Sequence, residues 1–497
     1  MTKNFFLTCF SVFFFVKSFA INFTVTSQTE FDNAVDNAVA GDIIEWLDGT
    51  YSDINMNIDA DGITVKSQTP GGVIFNGASR AIIDGSNVTF TGFQYLDGNI
   101  LDETLGTVEN TIVTVDGSNN TLSHINFSGY TCWKYMRIRD SSQYTNVSYC
   151  NFENRINYAD QNIFQIDAAE SQPGFHNISF CSFKNFTGDP VNETNGDDGV
   201  EPIRTGASSQ SQYSSRTIVE YCYFTSCNGD DEVISGKASD CVYRYNTLEA
   251  NNGEIVLRHG NRAKVYGNFF FNNETGVRVR EGSDHIIYNN YFNGLTDRSI
   301  DLQSSEGDLR VQNVIIANNT FVDTQRVELG DGNETNDPLN TVLINNLFEG
   351  STTSAYLRDA PNTADNTVYL FGNIALDSDP FGIDGTTDDQ VLVYTEEQLA
   401  LNADGFFQLS ETSAVSIDAS VNNTDIFPFP LIEGLDYDNT LALDLLLNNR
   451  DALKDVGAQE FSPSAQVIAH VNEDNTGPSY LMPVSYTHLT LPTTPYV

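Results

Sequence analysis

The sequence predicts an all-β protein: a right-handed parallel β-helix, or solenoid, closed by a short N-terminal capping helix. Three observations point there. Short alternating strands recur with one ending, a position inside that ending repeats Cys or Asn, and 36 glycines with abundant asparagine favour turns over long helices. In chain order the segments are SHINF, VSYCNF, ISFCSF, VEYCYF, VYRYNTL, VYGNFF, IYNNYF, IIANNTF and LINNLF. They end on Phe127, Phe152, Phe183, Phe224, Leu248, Phe270, Phe292, Phe321 and Phe348, at spacings of 25, 31, 41, 24, 22, 22, 29 and 27 residues. A period near 22 with insertions suits a solenoid whose coils stack on one another, and does not suit a sandwich.

Two residues before those endings stand Cys150, Cys181 and Cys222, then Asn246, Asn268, Asn290, Asn319 and Asn346. Stacked coils gather these into one internal ladder. An asparagine amide can bond the neighbours above and below and satisfy a bent backbone, and cysteine fills the same volume. Six cysteines remain beyond Cys9 (Cys132, Cys150, Cys181, Cys222, Cys227 and Cys241), enough for disulfides in an exported chain. Their place in the ladder makes at least three of them small buried hydrophobes instead.

Residues 1–20 read as a secretory signal peptide, with Lys3, an apolar run from Phe5 to Val16, and a small residue at Ala20. The expected location is secreted or periplasmic, and no later run is long enough to span a membrane. In TEFDNAVDNAVAGD, Phe31, Ala34, Val35 and Ala38 share one helical face, which would cover the open end of the first coil. The β-helix is expected over 21–385 and an irregular, acidic covering region over 386–480, with a small helix from Glu396 to Asn402. Residues 481–497 continue no earlier pattern and read as a non-native or misassembled tail.

The net charge of −43 argues against nucleic acid and anionic membranes as partners. It leaves room for an anionic polymer at a locally basic site. Nine of the 24 basic side chains fall between residues 204 and 280. There EVISGKAS, EIVLRHGN and GVRVREGS superpose at an offset of 22. That offset stacks Glu232 near Glu254 and Arg258 near Arg280. It puts Lys237 in register with His259, hence close to Arg258. Strand alternation turns Arg278 and Arg280 outward together. A salt-bridged surface would explain these residues, with Glu254 or Asp240 as partners. So would a surface of guanidinium groups for carboxylates held along a polymer. Glu201, Asp230, Asp231, Glu232 and Glu254 add oxygen ligands suited to a hard cation such as calcium.

EVISGKAS, LRHGN, GVRVREGSDHIIYNNYF and NGASRAIIDGSNVTFTGF, with EPIRTGAS at 201–208, resemble polysaccharide lyase family 6, the alginate lyase and chondroitinase B group, from about Asp42 to Phe348. The resemblance implies a β-helix enzyme that cuts uronate polymers by β-elimination with bound Ca2+. Carried over by motif, Lys237 is the general base and Arg258 the general acid. Glu201, Asp230 and Glu232 are the implied calcium ligands, with Asp198 a further candidate. Asp230 stands where the family usually has glutamate, and EPIRTG departs from the family wording.

Arg204, His259, Arg278, Arg280, His285 and Tyr288 are the expected substrate contacts; His259 equally suits a prop for Arg258. The implied partner is an anionic polysaccharide, alginate first and chondroitin or dermatan sulfate second. The chain is expected to act as a monomer, with a dimer left open. A glycoside hydrolase would need paired carboxylates flanking the bond rather than a Lys–Arg centre. An epimerase would share proton abstraction at C5, and a non-catalytic polysaccharide-binding protein would need only the basic patch.

Overall fold

The computed structural model describes residues 20–102, 104–156, 162–187, 199–304, 309–330, 338–351, 357–359, 368–376, 391–394, 399–402, 405–421, 437–462 and 470–482. Each coil gives one strand to each of three parallel sheets. Sheet A starts at Asn22–Val25 and has 14 strands, sheet B starts at Gly49–Ser52 and has 14, and sheet C starts at Asn55–Ile58 and has 12. The result is a parallel β-helix with very little α-helix.

Alternation along each short strand sends apolar residues inward, where they form columns. Phe127, Phe152, Phe183 and Phe224 stack with ring centroids 4.7–5.1 Å apart. Phe270, Phe292, Phe321 and Phe348 continue beyond Leu248 at 4.6–4.8 Å. These are the repeated endings of the sequence, now seen as one wall of the core. Offset ring pairs add about 0.5–1.5 kcal/mol each beyond the area they bury.

The corner between sheets A and B explains the Cys/Asn position. Tyr149, Phe180, Tyr221 and Tyr245 turn the chain there with φ of 52–55° and stack on one another at 5.0–5.1 Å. The next residue points inward. Asn246, Asn268, Asn290, Asn319, Asn346 and Asn373 form a continuous ladder of Nδ2–Oδ1 bonds of 2.9–3.1 Å. Each Oδ1 also takes the backbone N–H of the coil before it, and each Nδ2 reaches a carbonyl such as Val219 or Tyr243. In the three coils before Asn246 the position is held by Cys150, Cys181 and Cys222, buried with free thiols like Cys132, Cys227 and Cys241. A second, shorter ladder at the B–C corner runs Cys227, Asn251, Asn273.

The helix Gln28–Asn37 sits at the first coil with Phe31, Ala34 and Val35 buried. Ser27 caps it by accepting the Glu30 N–H at 3.3 Å, while Glu30 accepts the Thr26 N–H at 2.7 Å. At the other end, Leu399, Phe406, Leu409, Leu445, Leu446, Val456 and Ala458 pack on the outside of sheet B against Phe269, Tyr291, Val322 and Leu347. Leu441 packs on the outside of sheet A against Tyr288, Ile315 and Val342. The small helix expected from Glu396 is not what forms: Leu399–Leu401 is a strand paired antiparallel with Phe407–Leu409. Its alternation and the short turn after it favour a hairpin over a helical turn. Residues 1–19 of the expected signal peptide and 483–497 of the expected tail lie outside the described residues, within which no helix is long and apolar enough to cross a membrane.

Candidate active site

Sheet C carries the site. Its strands Ile203–Thr205, Glu232–Gly236, Glu254–Leu257 and Val277–Val279 lie side by side. Register aligns Ile203, Ile234, Ile255 and Val277 in the core, and between them Arg204, Ser235, Val256 and Arg278 form the outward row. Arg278 and Arg280 stand half-buried, alternating with the buried Val277 and Val279.

The uniform offset of 22 does not survive intact. Glu232 pairs with Glu254, but a β-bulge between Glu232 and Ile234 then brings Ile234 opposite Ile255 and Gly236 opposite Leu257. The residues that follow, Lys237 and Arg258, therefore come level, and the expected pairing of Lys237 with His259 is displaced by one residue. The extra residue, Val233, is wholly buried. Bulges of this kind re-aim side chains. This one sets the two implied acid–base groups on adjacent coils at the same height.

Around them stand buried carboxylates. Lys237 Nζ lies 3.4 Å from Glu201 Oε1, Arg204 pairs with the other Glu201 oxygen, and Arg258 Nη1 lies 2.5 Å from Glu232 Oε1. Ser235 Oγ donates to Glu232 Oε2. The two Asp230 oxygens accept the N–H groups of Gly199 at 2.8 Å and Glu232 at 2.7 Å. Burial opposes charge on both glutamates. For Glu201, burial and repulsion by Glu232 outweigh Arg204 and Lys237, and its affinity for a proton is raised. For Glu232, Lys237, Ser235 and Arg258 together outweigh burial and lower it.

This arrangement bears on calcium. Glu201, Asp230 and Glu232 offer hard oxygens and are 2%, 7% and 6% exposed, and the Glu201–Glu232 repulsion favours added positive charge. As placed, their oxygens bond to Arg204, Lys237, Arg258, Ser235 and two amides. Among the described residues, no three His, Cys, Asp or Glu side chains are grouped to hold an ion. Their hard oxygens are the donor type that a cation such as calcium takes, but as placed the three side chains are not grouped around one position. Asp198 lies outside the described residues.

Of the expected substrate contacts, Arg204, His259, Arg278 and Arg280 are brought to this face of the coil stack. Arg278 Nε lies 3.5 Å from Asp301, and His259 Nδ1 lies 2.9 Å from Glu281. His285 and Tyr288 are not brought there. His285 is fully buried and accepts the Ala263 N–H on Nδ1 at 3.2 Å; burial pushes its pKa down to about 4. Tyr288 lies on sheet A, stacked 4.6 Å from Tyr266 and packed in the cluster that contains Leu441. The motif containing both residues leaves sheet C through a corner, so sequence proximity to Arg280 does not carry them to its face.

Lys134 and Gln165 on sheet C, and Asn162 between them, were not singled out by the sequence. Lys134 donates to Asn162, Asn162 donates to Gln165 at 2.7 Å, and Gln165 donates to the Gly206 carbonyl at 2.9 Å. Burial, reinforced by Arg204 and Arg155, brings the Lys134 pKa down to about 7. Glu254 is pushed up to about 8 by burial and by Asp301, against Arg278 and Arg298. Lys134 could have been found by extending the coil superposition backwards, but the 31- and 41-residue coils conceal the register.

The family model for chondroitinase B matches residues 25–357. Among curated proteins none matches. The fold resembles a variant of the family 6 alginate lyase AlyGC (TM-score 0.72, 20% identity), covering 93% of this chain and 59% of that one, so this chain spans well under two thirds of its length. It also resembles a family 6 polysaccharide lyase from Pseudopedobacter saltans (TM-score 0.60, 19% identity, 71% of this chain and 92% of that one). A mannuronic acid-specific family 6 lyase from human gut microbiota is similar too (TM-score 0.62, 21% identity, 76% and 91%). With two thirds of its length matched by that model and the motifs carried on adjacent coils, the chain belongs to the chondroitinase B family, polysaccharide lyase family 6.

Proposed function

We propose that the protein is a polysaccharide lyase that cleaves a uronate-containing polymer by β-elimination, alginate first, with chondroitin or dermatan sulfate as the alternative. The observation that carries this reading is the level placement of Lys237 and Arg258 across a bulged coil boundary, beside the buried Glu201, Asp230 and Glu232. Lys237, in its neutral form, takes the C5 proton through Nζ. The electrons of the C5–H bond become the C4–C5 double bond, the C4–O bond breaks, and its pair leaves with the glycosidic oxygen, which takes up a proton from water or from Arg258, itself then reprotonated by water. Arg258 faces that oxygen. Its guanidinium is so weak an acid that stabilising the developing charge is its main contribution, over giving up a proton. Calcium, held by Glu201, Asp230 and Glu232 with Asp198 as a further ligand, would neutralise the uronate carboxylate and make the C5 proton easier to remove.

Arg204, Arg278 and Arg280 suit a polymer that carries a carboxylate on every sugar. Alginate is placed first because two of the compared structures are of enzymes named for alginate or mannuronic acid. Export through residues 1–20 would bring the enzyme to such a polymer outside the cytoplasm. The test follows absorbance of unsaturated uronyl ends with alginate, polymannuronate, polyguluronate and chondroitin sulfate, with calcium and with chelator. New absorbance from one of them supports the reading. None from any polymer sinks it, and activity unchanged by rigorous chelation removes calcium while leaving the elimination.

A further inference from the structure

His259 and Glu281 form a pair beside Lys237 and Arg258 that the elimination steps above do not use. His259 Nδ1 lies 2.9 Å from Glu281 Oε1, and the Glu281 side chain is only 7% exposed. An ionised carboxylate accepts and cannot donate, so the proton between them belongs to Nδ1. The His259 ring keeps 21% of its surface exposed, and its Nε2 makes no hydrogen bond among the described residues.

The backbone holds this pair tightly. His259 is left-handed at φ 77°, an uncommon conformation for a non-glycine residue. Immediately after it, a Cβ on Gly260 would meet the Ala238 carbonyl oxygen at 2.3 Å, and one on Gly282 would meet the Gly260 carbonyl oxygen at 2.1 Å. The turns that follow Lys237, Arg258 and Arg280 thus stack in direct contact. Side chains tie the same turns together: Ser239 Oγ accepts the Asn261 N–H, and Asn261 Oδ1 accepts the Ser283 N–H, each at 3.0 Å.

We infer that Glu281 is a positioning residue that fixes the His259 proton on Nδ1, so that Nε2 is presented as an acceptor to a hydroxyl of the sugar lying against Lys237 and Arg258. The identity of the sugar rests on the lyase reading; the His259–Glu281 contact does not. The paired carboxylate decides which ring nitrogen is bare, and with it which partner the ring can recognise.

Nitrogen-15 spectra of histidine-labelled protein, recorded above the imidazole titration range and assigned with His259→Gln, test the contact directly. The wild type should show a protonated Nδ1 and a bare Nε2. Glu281→Ala should shift both resonances toward those of a free imidazole. Glu281→Gln, whose amide oxygen can still accept, should hold them and serves as the variant least disturbing to folding. On whichever polymer the wild type cleaves, kcat/KM should fall about 10-fold in Glu281→Ala and recover in Glu281→Gln. The double variant Glu281→Ala, His259→Gln should be no worse than His259→Gln alone. Unchanged His259 resonances in Glu281→Ala, or losses that simply add in the double variant, would overturn the inference. If the wild type cleaves no uronate polymer, the lyase reading fails separately and the spectra still decide the contact.

Discussion

In the proposed elimination Arg258 serves two partners at once. It pairs with Glu232 at 2.5 Å and stands level with Lys237, so its charge is spent partly within the protein and partly toward whatever occupies the groove. Its planar fork suits both tasks, and a lysine could supply charge without the geometry. Arg258→Lys is therefore expected to lower kcat/KM by about 10²-fold and to leave the thermal midpoint close to the wild type, as read from initial rates and a melting curve. Rates near wild type would show that the leaving oxygen does not depend on this guanidinium. The adjacency of Lys237 and Arg258 was legible in the two motifs 22 residues apart. Their common height was not, because it depends on Val233 bulging out of register, and a buried valine after a glutamate carries no signal of a bulge.

The ladders and columns are the elements most plainly written in the chain. A recurrent Phe after a Cys or Asn is a local pattern, and stacking turns it into a continuous bonded strip. In that strip Asn290 Oδ1 takes the Asn268 N–H and amide while its Nδ2 reaches the Val265 carbonyl. Asn290→Ala removes these bonds and the one from its Nδ2 to Asn319 Oδ1 in a buried corner, and is expected to cost about 3 kcal/mol or more in a denaturant titration. A cost below about 0.5 kcal/mol would show that water or relaxation replaces the ladder. The same local pattern misled at His285 and Tyr288. Alternation says which residues point outward but not from which of three sheets, and these two follow the corner onto sheet A. The second ladder through Asn251 and Asn273 escaped notice because only two asparagines repeat before the spacing changes.

Across the whole molecule, the later coils are covered on sheets A and B by residues drawn from beyond the last strands, while the site lies on sheet C. The chain also reaches back to the early coils: the Gly477 N–H bonds the Phe180 carbonyl, and Tyr480 Oη donates to the carbonyls of Phe93 and His124. Buried histidines give this solenoid an acid limit. His176 and His285 each accept a backbone N–H, from Thr145 and Ala263, and burial holds each near pKa 4 against an ordinary 6.5. A depressed folded pKa means the unfolded chain binds the proton first, so their contribution is present above about 6.5 and is lost as pH falls toward 4. Each loss approaches about 3 kcal/mol. His285→Gln should flatten the drop in melting temperature between neutral pH and about pH 5; a slope identical to the wild type would remove His285 from the account. Removal of a C5 proton by Lys237 is open to a single assay. Wild type and Lys237→Ala, both shown folded by melting curves, are given alginate with calcium while unsaturated uronyl absorbance is followed. Steady product is expected from the wild type, and a rate lower by about 10²–10⁴-fold from the variant. A folded Lys237→Ala that forms unsaturated ends at the wild-type rate would contradict that role for Lys237.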